Sequence, residues 1–175
     1  MRQNKVKIYI DGANIFYTQK RLGWFIDWIK VKNIIEKEKE VAEWKYYVGV
    51  KDGDEKMMDY IKYLNNIGFD TITKPLKKIK VIKDEIFFKT QEREFIYKAN
   101  FDVEMTADIL LDKSKLDEII IFSGDSDFRY LVKKLKDTGI KTIVYSSRKT
   151  ISWELKLEIS KIVYFEDIKD KILRQ

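Results

Sequence analysis

The chain has 175 residues, a length that favours one folded domain with its own core. It contains no cysteine and no histidine, which excludes disulfides, thiolate nucleophiles, imidazole catalysis and the usual zinc and iron–sulfur sites. Lysine and arginine total 35 against 29 acidic residues, and a net charge of +6 suits a phosphate-bearing partner without requiring one. Among the remaining groups, a carboxylate cluster holding a hard divalent ion offers the most chemistry.

The first half of the chain alternates predicted strands and helices. Residues 6–10 alternate in polarity and are rich in β-branched and aromatic types, which predicts a strand ending at Asp11 and Gly12. Asn14 is then placed as the N-cap of the following helix. The elements predicted up to residue 73 are a strand over 6–10, helices over 14–23 and 31–39, a strand over 44–50, a helix over 55–66 and a strand over 69–73.

The alternation breaks near residue 74 and resumes near residue 103. Residues 76–83 and 86–97 both favour strand, so we predict a β-hairpin over 76–97 that stands off the main sheet. The elements predicted after it are a helix over 103–111, a strand over 118–123, a helix over 128–136, a strand over 140–145, a short helix over 153–159, a strand over 161–164 and a helix after 166.

This pattern predicts an α/β fold: a single domain over residues 1–175, with a mostly parallel central sheet between two layers of helices. The longest wholly apolar run, residues 119–122, is far shorter than the roughly 20 residues that span a bilayer. Residues 1–5 lead into a strand rather than a signal sequence. We therefore expect a cytoplasmic protein with no membrane association.

Acidic residues follow the predicted strands at one edge of this sheet. Asp11 ends the first strand, Asp125 and Asp127 follow the strand over 118–123, and Asp102 lies at the start of the helix over 103–111. Ligands of an open parallel sheet bind beyond the carboxyl ends of its strands. Three segments therefore bring carboxylates to one place, where their repulsion calls for a cation such as Mg²⁺.

Each of these residues also has a simpler interpretation. Asp127 suits a helix N-cap, Asp11 with Gly12 suits a plain turn, and Glu104 suits a charge in the first turn of a helix. Asp108 shares a helix face with Glu104 and reaches the site only if that helix lies along the cleft. The metal hypothesis depends on the joint placement of the acids, not on any one of them.

As an ordered set, these residues resemble the NYN domain, a PIN-like nuclease family that includes the LabA-like proteins. The matching segments are residues 10–16, 98–108 and 122–128, with the motifs Asp-Gly-Ala-Asn and Ser-Gly-Asp-Ser-Asp-Phe. They occur in the family's order, and the similarity runs from about residue 5 to residue 163. One departure is Ala99-Asn100, where a glycine is usual; this changes the freedom of the loop backbone and removes no ligand.

The resemblance implies a PIN-like fold and Mg²⁺- or Mn²⁺-dependent cleavage of RNA that leaves 5′-phosphate products. Asn14 and Ser123 match positions that orient the site, and both are included among the candidate substrate-binding residues. The family's metal-binding and catalytic acids correspond to Asp11, Asp102, Asp125 and Asp127, with Asp108 as a further candidate metal ligand.

Basic residues near this edge suggest how a phosphate chain would be held. Lys78 and Lys80 share one face of the first hairpin strand, and Lys98 continues the basic surface. Arg148 follows the strand over 140–145 and is placed to grip a phosphate. The alternative is a charged edge strand that merely resists aggregation.

The main hypothesis is a metal-dependent endoribonuclease that uses an aspartate-bound ion and an activated water. A second is a non-catalytic RNA-binding or regulatory module that keeps the acidic site. A third is a phosphatase or nucleotidyl-type enzyme, against which the chain shows no Walker-type glycine loop. The sequence does not decide between a monomer and a homodimer, between one ion and two, or between RNA and DNA.

Overall fold

Strands and helices alternate along most of the chain. The computed structural model describes residues 5–82, 93–113 and 116–175. The strands are β1 (Lys5–Asp11), β2 (Glu40–Val50), β3 (Asp70–Pro75), β4 (Lys77–Ile82), β5 (Arg93–Lys98), β6 (Glu118–Phe122), β7 (Lys141–Ser146) and β8 (Lys161–Tyr164). The α-helices are α1 (Gly12–Leu22), α2 (Trp28–Glu36), α3 (Glu55–Asn66), α4 (Asp102–Asp112), α5 (Arg129–Asp137), α6 (Trp153–Lys156) and α7 (Lys169–Ile172). Within these ranges, no helix is both long and apolar enough to cross a membrane.

Six strands form the central sheet, in the order β3-β2-β1-β6-β7-β8. All five neighbouring pairs are parallel, so the prediction of a mostly parallel sheet is confirmed. The strand order reverses between β1 and β6, because the chain builds outward from β1 to β3 and later from β6 to β8. That reversal creates the crevice in which open α/β sheets bind their ligands.

The register of β1 against β6 places two loops side by side. Ile10 lies opposite Phe122, so the chain leaves both strands at the same level. Asp11 follows Ile10 as the last residue of β1, and Ser123 is the first residue after β6. Parallel pairing alone therefore brings the first and third acidic segments of the sequence together.

Two apolar layers cover the faces of the sheet. One contains Ile15 of α1, Val31 of α2 and Leu64 of α3, and the other contains Met105 of α4 and Leu131 of α5. All five residues of β6 are buried, as expected for a central parallel strand with helices on both faces. The three-layer α/β/α prediction is confirmed.

The hairpin prediction is also confirmed for the part that the structure describes. β4 and β5 pair antiparallel in a separate two-stranded sheet, with Lys77 opposite Lys98 and Ile82 opposite Arg93. The segment between the two strands, residues 83–92, lies outside the described residues, as does the side chain of Lys80.

The start of α1 differs from the prediction. Asp11, not Asn14, is the N-cap, because its carboxylate accepts the backbone N–H of Asn14 at 3.1 Å. Asn14 thus lies in the first turn, where its side chain is free to bond elsewhere. A similar local cap places Ser126–Phe128 in a 3-10 turn, so that α5 begins one residue later than expected.

Gly12 allows α1 to approach the sheet closely. A Cβ atom at this position would lie 2.5 Å from the backbone oxygen of Tyr47 and 2.6 Å from the ring of Tyr46. Neither neighbour has room to retreat, because both tyrosines are buried. A glycine is therefore required for Asp11 to leave β1 and enter α1 at this angle.

Replacing Gly12 by alanine should lower the free energy of unfolding by about 1–3 kcal/mol, as overpacking does in close-packed regions. Helix propensity alone predicts the opposite sign, a gain of roughly 0.5–1 kcal/mol for alanine over glycine. Urea unfolding followed by circular dichroism gives the sign directly. The exposed neighbour provides a control, since Ala13→Ser should stay within about 0.5 kcal/mol of the parent. A more stable Gly12→Ala protein would contradict the close approach.

Candidate metal centre

Asp11 stands at the junction of β1 and α1, where two groups of the chain hold its carboxylate. One oxygen accepts the N–H of Asn14, and the other accepts the hydroxyl of Ser123 at 3.2 Å. The first bond comes from the helix that Asp11 caps, and the second comes from the end of the neighbouring strand β6. The side chain is therefore fixed at the crevice.

The loop after β6 is folded around the same point. The backbone N–H of Gly124 donates to the side-chain oxygen of Asn14 at 3.0 Å, and the N–H of Asp125 donates to the hydroxyl of Ser123 at 3.2 Å. Asp125 in turn accepts the N–H of Asp127 at 3.0 Å. These short bonds orient the Asp125 carboxylate toward Asp11.

Asp102 arrives from the other helical layer, as the first residue of α4. The side chain of Asn100 accepts its backbone N–H at 2.9 Å, just before the N-cap residue Phe101. Phe101 and Met105 bury this end of α4 against the sheet. Sequence reasoning missed the role of Asn100, although an asparagine two residues before a helical aspartate is a recognisable signal for such a bond.

The three carboxylates form one cluster. One oxygen from each of Asp11, Asp102 and Asp125 lies within 4.8 Å of the others, and all three side chains are half-buried. Oxygen ligands of Mg²⁺ lie about 2.0–2.1 Å from the ion, which separates them from one another by roughly 3–4 Å. The oxygen-only donor set also suits Mg²⁺ or Mn²⁺. The residues present therefore fit a hard divalent ion with small adjustments.

Burial and mutual repulsion of the carboxylates are the two costs that a bound cation would offset. Burial raises the pKa of Asp11 from 3.8 to about 6, and the neighbouring charges of Asp102 and Asp125 add to that effect against its hydrogen bonds. Burial also raises the pKa of Asp102, with contributions from Asp125 and Asp127. In the absence of a cation, the protein holds these charges together at a cost.

Asp127 lies at the edge of this cluster rather than within it. Its side chain is exposed, and it is close enough to Asp102 to raise the pKa of that carboxyl. It does not share the 4.8 Å grouping of the three other aspartates. Nor is it the N-cap that a simpler interpretation suggested, because Asp125 caps the 3-10 turn.

Asp108 is not part of the cluster, contrary to its selection as a metal ligand. The hydroxyl of Tyr47 donates to it at 2.6 Å, and the ammonium of Lys45 lies 3.2 Å away. One turn further along α4, Asp112 accepts the hydroxyl of Tyr9 at 3.0 Å. Both acids point at the face of the sheet, because α4 packs across that face instead of lying along the crevice.

The predicted substrate-binding residues divide into three groups. Asn14 and Ser123 bond to the loops of the site itself, as described above. Lys78 and Lys98 are exposed on the hairpin. The guanidinium of Arg148 bonds Asp167 at 2.7 Å and lies 4.2 Å from the ring centre of Tyr164, so its charge is already engaged.

Comparison with known proteins identifies the family of the chain. The NYN domain family matches residues 5–166, which is most of the chain. The chain is a member of the NYN domain family. It is 30% identical to the low amplitude and bright protein LabA of Synechococcus elongatus, over 98% of this chain and 89% of that protein.

A solved structure shares the fold of this NYN domain. The crystal structure of a protein of unknown function from Vibrio parahaemolyticus superposes with a TM-score of 0.78, at 24% identity, over 99% of this chain and all of that one. NYN domains are generally nucleases. Family and acidic cluster together indicate a metal-dependent nuclease with a nucleic acid as its substrate.

The raised pKa of Asp11 predicts how stability depends on pH in metal-free protein. Between about pH 4 and pH 6 the unfolded chain releases this proton while the folded protein retains it, so the folded state loses stability as pH rises. Asp11→Asn removes this effect. In urea unfolding with EDTA, the variant should gain about 2–3 kcal/mol relative to the parent between pH 4 and pH 7.5.

The exposed Asp70 provides the control for this comparison, because Asp70→Asn should show no such pH-dependent gain. Saturating Mn²⁺ at pH 7.5 should stabilise the parent and leave Asp11→Asn nearly unchanged. A constant difference between parent and variant across the pH range would contradict the burial of a repelled carboxylate.

Variants of two aspartates on α4 should affect different properties, one the free energy of unfolding and the other the affinity for Mn²⁺. Asp108→Ala leaves the hydroxyl of Tyr47 without its acceptor and should lower the free energy of unfolding by about 1–3 kcal/mol, with little change in Mn²⁺ affinity. Asp102→Ala should do the reverse, weakening Mn²⁺ binding at least tenfold without destabilising metal-free protein. Urea unfolding and titration calorimetry measure both. Loss of Mn²⁺ binding in a folded Asp108→Ala protein would return Asp108 to the ligand set.

Proposed function

We propose that this NYN domain is a Mg²⁺- or Mn²⁺-dependent ribonuclease that cuts RNA internally. The observation that supports this most directly is the cluster of Asp11, Asp102 and Asp125 at the reversal point of the sheet. Three carboxylates from separate segments converge there, although burial and, after it, their mutual repulsion raise the pKa values of Asp11 and Asp102. A purely structural role would be served better by one carboxylate and a partner cation from the chain.

In this proposal Asp11, Asp102 and Asp125 hold the ion. When bound, the ion would supply a water of lowered pKa and stabilisation of the negative charge on the phosphoryl oxygens. In the proposal the exposed Asp127, which is close enough to Asp102 to raise the pKa of that carboxyl, accepts a proton from the attacking water. Cleavage in line would leave a 5′-phosphate and a free 3′-hydroxyl.

The hydrogen bonds of the site keep its acids fixed for this chemistry. Ser123 bridges Asp11 and the N–H of Asp125, while Asn14 ties α1 to the loop at Gly124. Positions held in this way need no rearrangement when charge develops during the reaction. In the proposal Asn14 and Ser123 are therefore positioning residues, which act on substrate through the aspartates.

The test is incubation of the purified protein with a labelled RNA in Mn²⁺ or Mg²⁺. Asp125→Asn preserves the acceptor for the N–H of Asp127 but removes a charge, so it should fold normally and lose at least 100-fold in cleavage rate. EDTA should abolish cleavage in the parent. Gel analysis of a 5′-labelled and a 3′-labelled strand identifies internal cuts.

Asp70→Asn is the matched control, because it removes an exposed carboxylate far along the chain from every acidic segment. Cleavage that survives both EDTA and Asp125→Asn would contradict the proposed mechanism. RNA binding without turnover in any divalent ion would instead support a non-catalytic RNA-binding module. Turnover of a chromogenic phosphate ester but not of RNA would favour a phosphatase.

A further inference from the structure

A groove runs beside α1 along the carboxyl edge of the sheet. The hydroxyls of Thr18 and Thr150 lie 2.9 Å apart across its floor, and the guanidinium of Arg21 donates to the backbone oxygen of Lys149 at 3.2 Å. These contacts join α1 to the loop that follows β7. The groove encloses about 470 Å³, and its lining residues are Asn14, Tyr17, Thr18, Lys20, Arg21 and Thr150.

One end of this α1 groove meets the carboxylate cluster. Asn14 lines the groove, donates its backbone N–H to Asp11 and accepts the N–H of Gly124 with its side chain. From Asp11 to Arg21 the helix advances ten residues, or about 15 Å at 1.5 Å per residue. A ligand lying in the groove therefore extends directly from the aspartates along α1.

Two cations, Lys20 and Arg21, line the α1 groove, and Lys149 adjoins it. In the described parts of the chain, no ion pair involves Lys20, Arg21 or Lys149, and all three side chains are exposed. Arg148 provides the contrast, because Asp167 pairs with it. Cations without acidic partners beside a cluster of carboxylates suit a ligand with several phosphates, one of which lies at the cluster.

An exposed aromatic ring stands among these cations. Tyr17 is 64% exposed and touches the ring of Phe16 edge-on, with ring centres 5.6 Å apart. The ammonium of Lys20 lies over the ring of Phe16, 4.6 Å from its centre, so a cation stands next to the exposed Tyr17. Exposed aromatic rings next to cations are how proteins stack the bases of single strands.

We propose that the α1 groove binds a single-stranded segment of the nucleic-acid substrate, with a base stacked on Tyr17 and phosphates held by Lys20 and Arg21. The proposal rests on the nuclease function, and it specifies which substrates reach the cluster. In a duplex the base faces are covered by their neighbours, so Tyr17 has nothing to stack on. Unpaired strands, loops and ends are therefore the preferred substrates.

Binding is measured best where no cleavage occurs, which separates this proposal from the catalytic one. A fluorescein-labelled 12-nucleotide single-stranded RNA and its duplex are titrated with protein in EDTA, and fluorescence anisotropy gives both dissociation constants. The parent should bind the single strand at least about tenfold more tightly than the duplex. Cleavage rates of the same strands in Mn²⁺ are then measured separately.

Tyr17 variants test the stacking. Tyr17→Phe keeps the ring and should bind as the parent does, whereas Tyr17→Ala and Tyr17→Leu should each weaken single-strand binding about tenfold. Leucine keeps apolar bulk without a π face, so it distinguishes stacking from simple burial. Thermal melting should be unchanged in all three, because the ring is largely exposed.

The contribution of the two cations Lys20 and Arg21 is tested by the salt dependence of binding. Lys20→Ala with Arg21→Ala should reduce the slope of log affinity against log salt by about 1.4, since each phosphate neutralised on a single strand contributes roughly 0.7. The control is Lys133→Ala with Lys136→Ala, which removes the same charge from exposed positions on α5. That control should change the slope by less than half as much.

Each outcome decides one of the two proposals. Equal affinity for duplex and single strand, or binding by Tyr17→Leu as tight as that of the parent, would overturn the α1 groove as a single-strand site even if RNA is cleaved. Binding that needs Tyr17, Lys20 and Arg21 would uphold the groove even if no divalent ion supports cleavage. In the latter case only the catalytic function would fail.

Discussion

The carboxylates of Asp11, Asp102 and Asp125 repel one another, and the surrounding structure must hold them together against that repulsion. Three half-buried carboxylates stay together only because several independent features hold them: the register of β1 against β6, the close approach allowed at Gly12, and the bonds of Ser123 and Asn14. Together they make a place where a divalent cation is the most favourable partner.

A polar network further along α4 packs this helix against the sheet, apart from the carboxylate cluster. Asp108 and Asp112 bond the hydroxyls of Tyr47 and Tyr9, two side chains that rise from adjacent strands of the sheet. Lys45 lies between the two acids, 3.2 and 3.8 Å from them. These contacts hold the middle and the end of α4 on the face of the sheet, so Asp108 lies away from the crevice. Asp108, a candidate metal ligand in the sequence, thus bonds to the sheet together with Asp112.

Much of the fold and the core of the site could be predicted because both follow from local pattern and strand ends. Residues 6–10 alternate in polarity and residues 118–123 are largely apolar, as expected of strands. The acids that follow these two strands come together because parallel neighbours end at the same edge of the sheet. Asp108 was misplaced because the packing angle of α4 depends on Tyr9 and Tyr47, which the pattern does not reveal. The α1 groove could not be predicted either, since it joins Arg21 to Lys149 across 128 residues.

The separation of the three acids along the chain has a consequence for the protein during its synthesis. Asp11 and Asp102 leave the ribosome before β6, the strand that pairs with β1 and carries Asp125 beyond its end. Until that strand emerges, the two earlier acids lack the neighbour that completes the cluster. The carboxylate cluster therefore forms only after Asp125 has been synthesised and β6 has paired with β1.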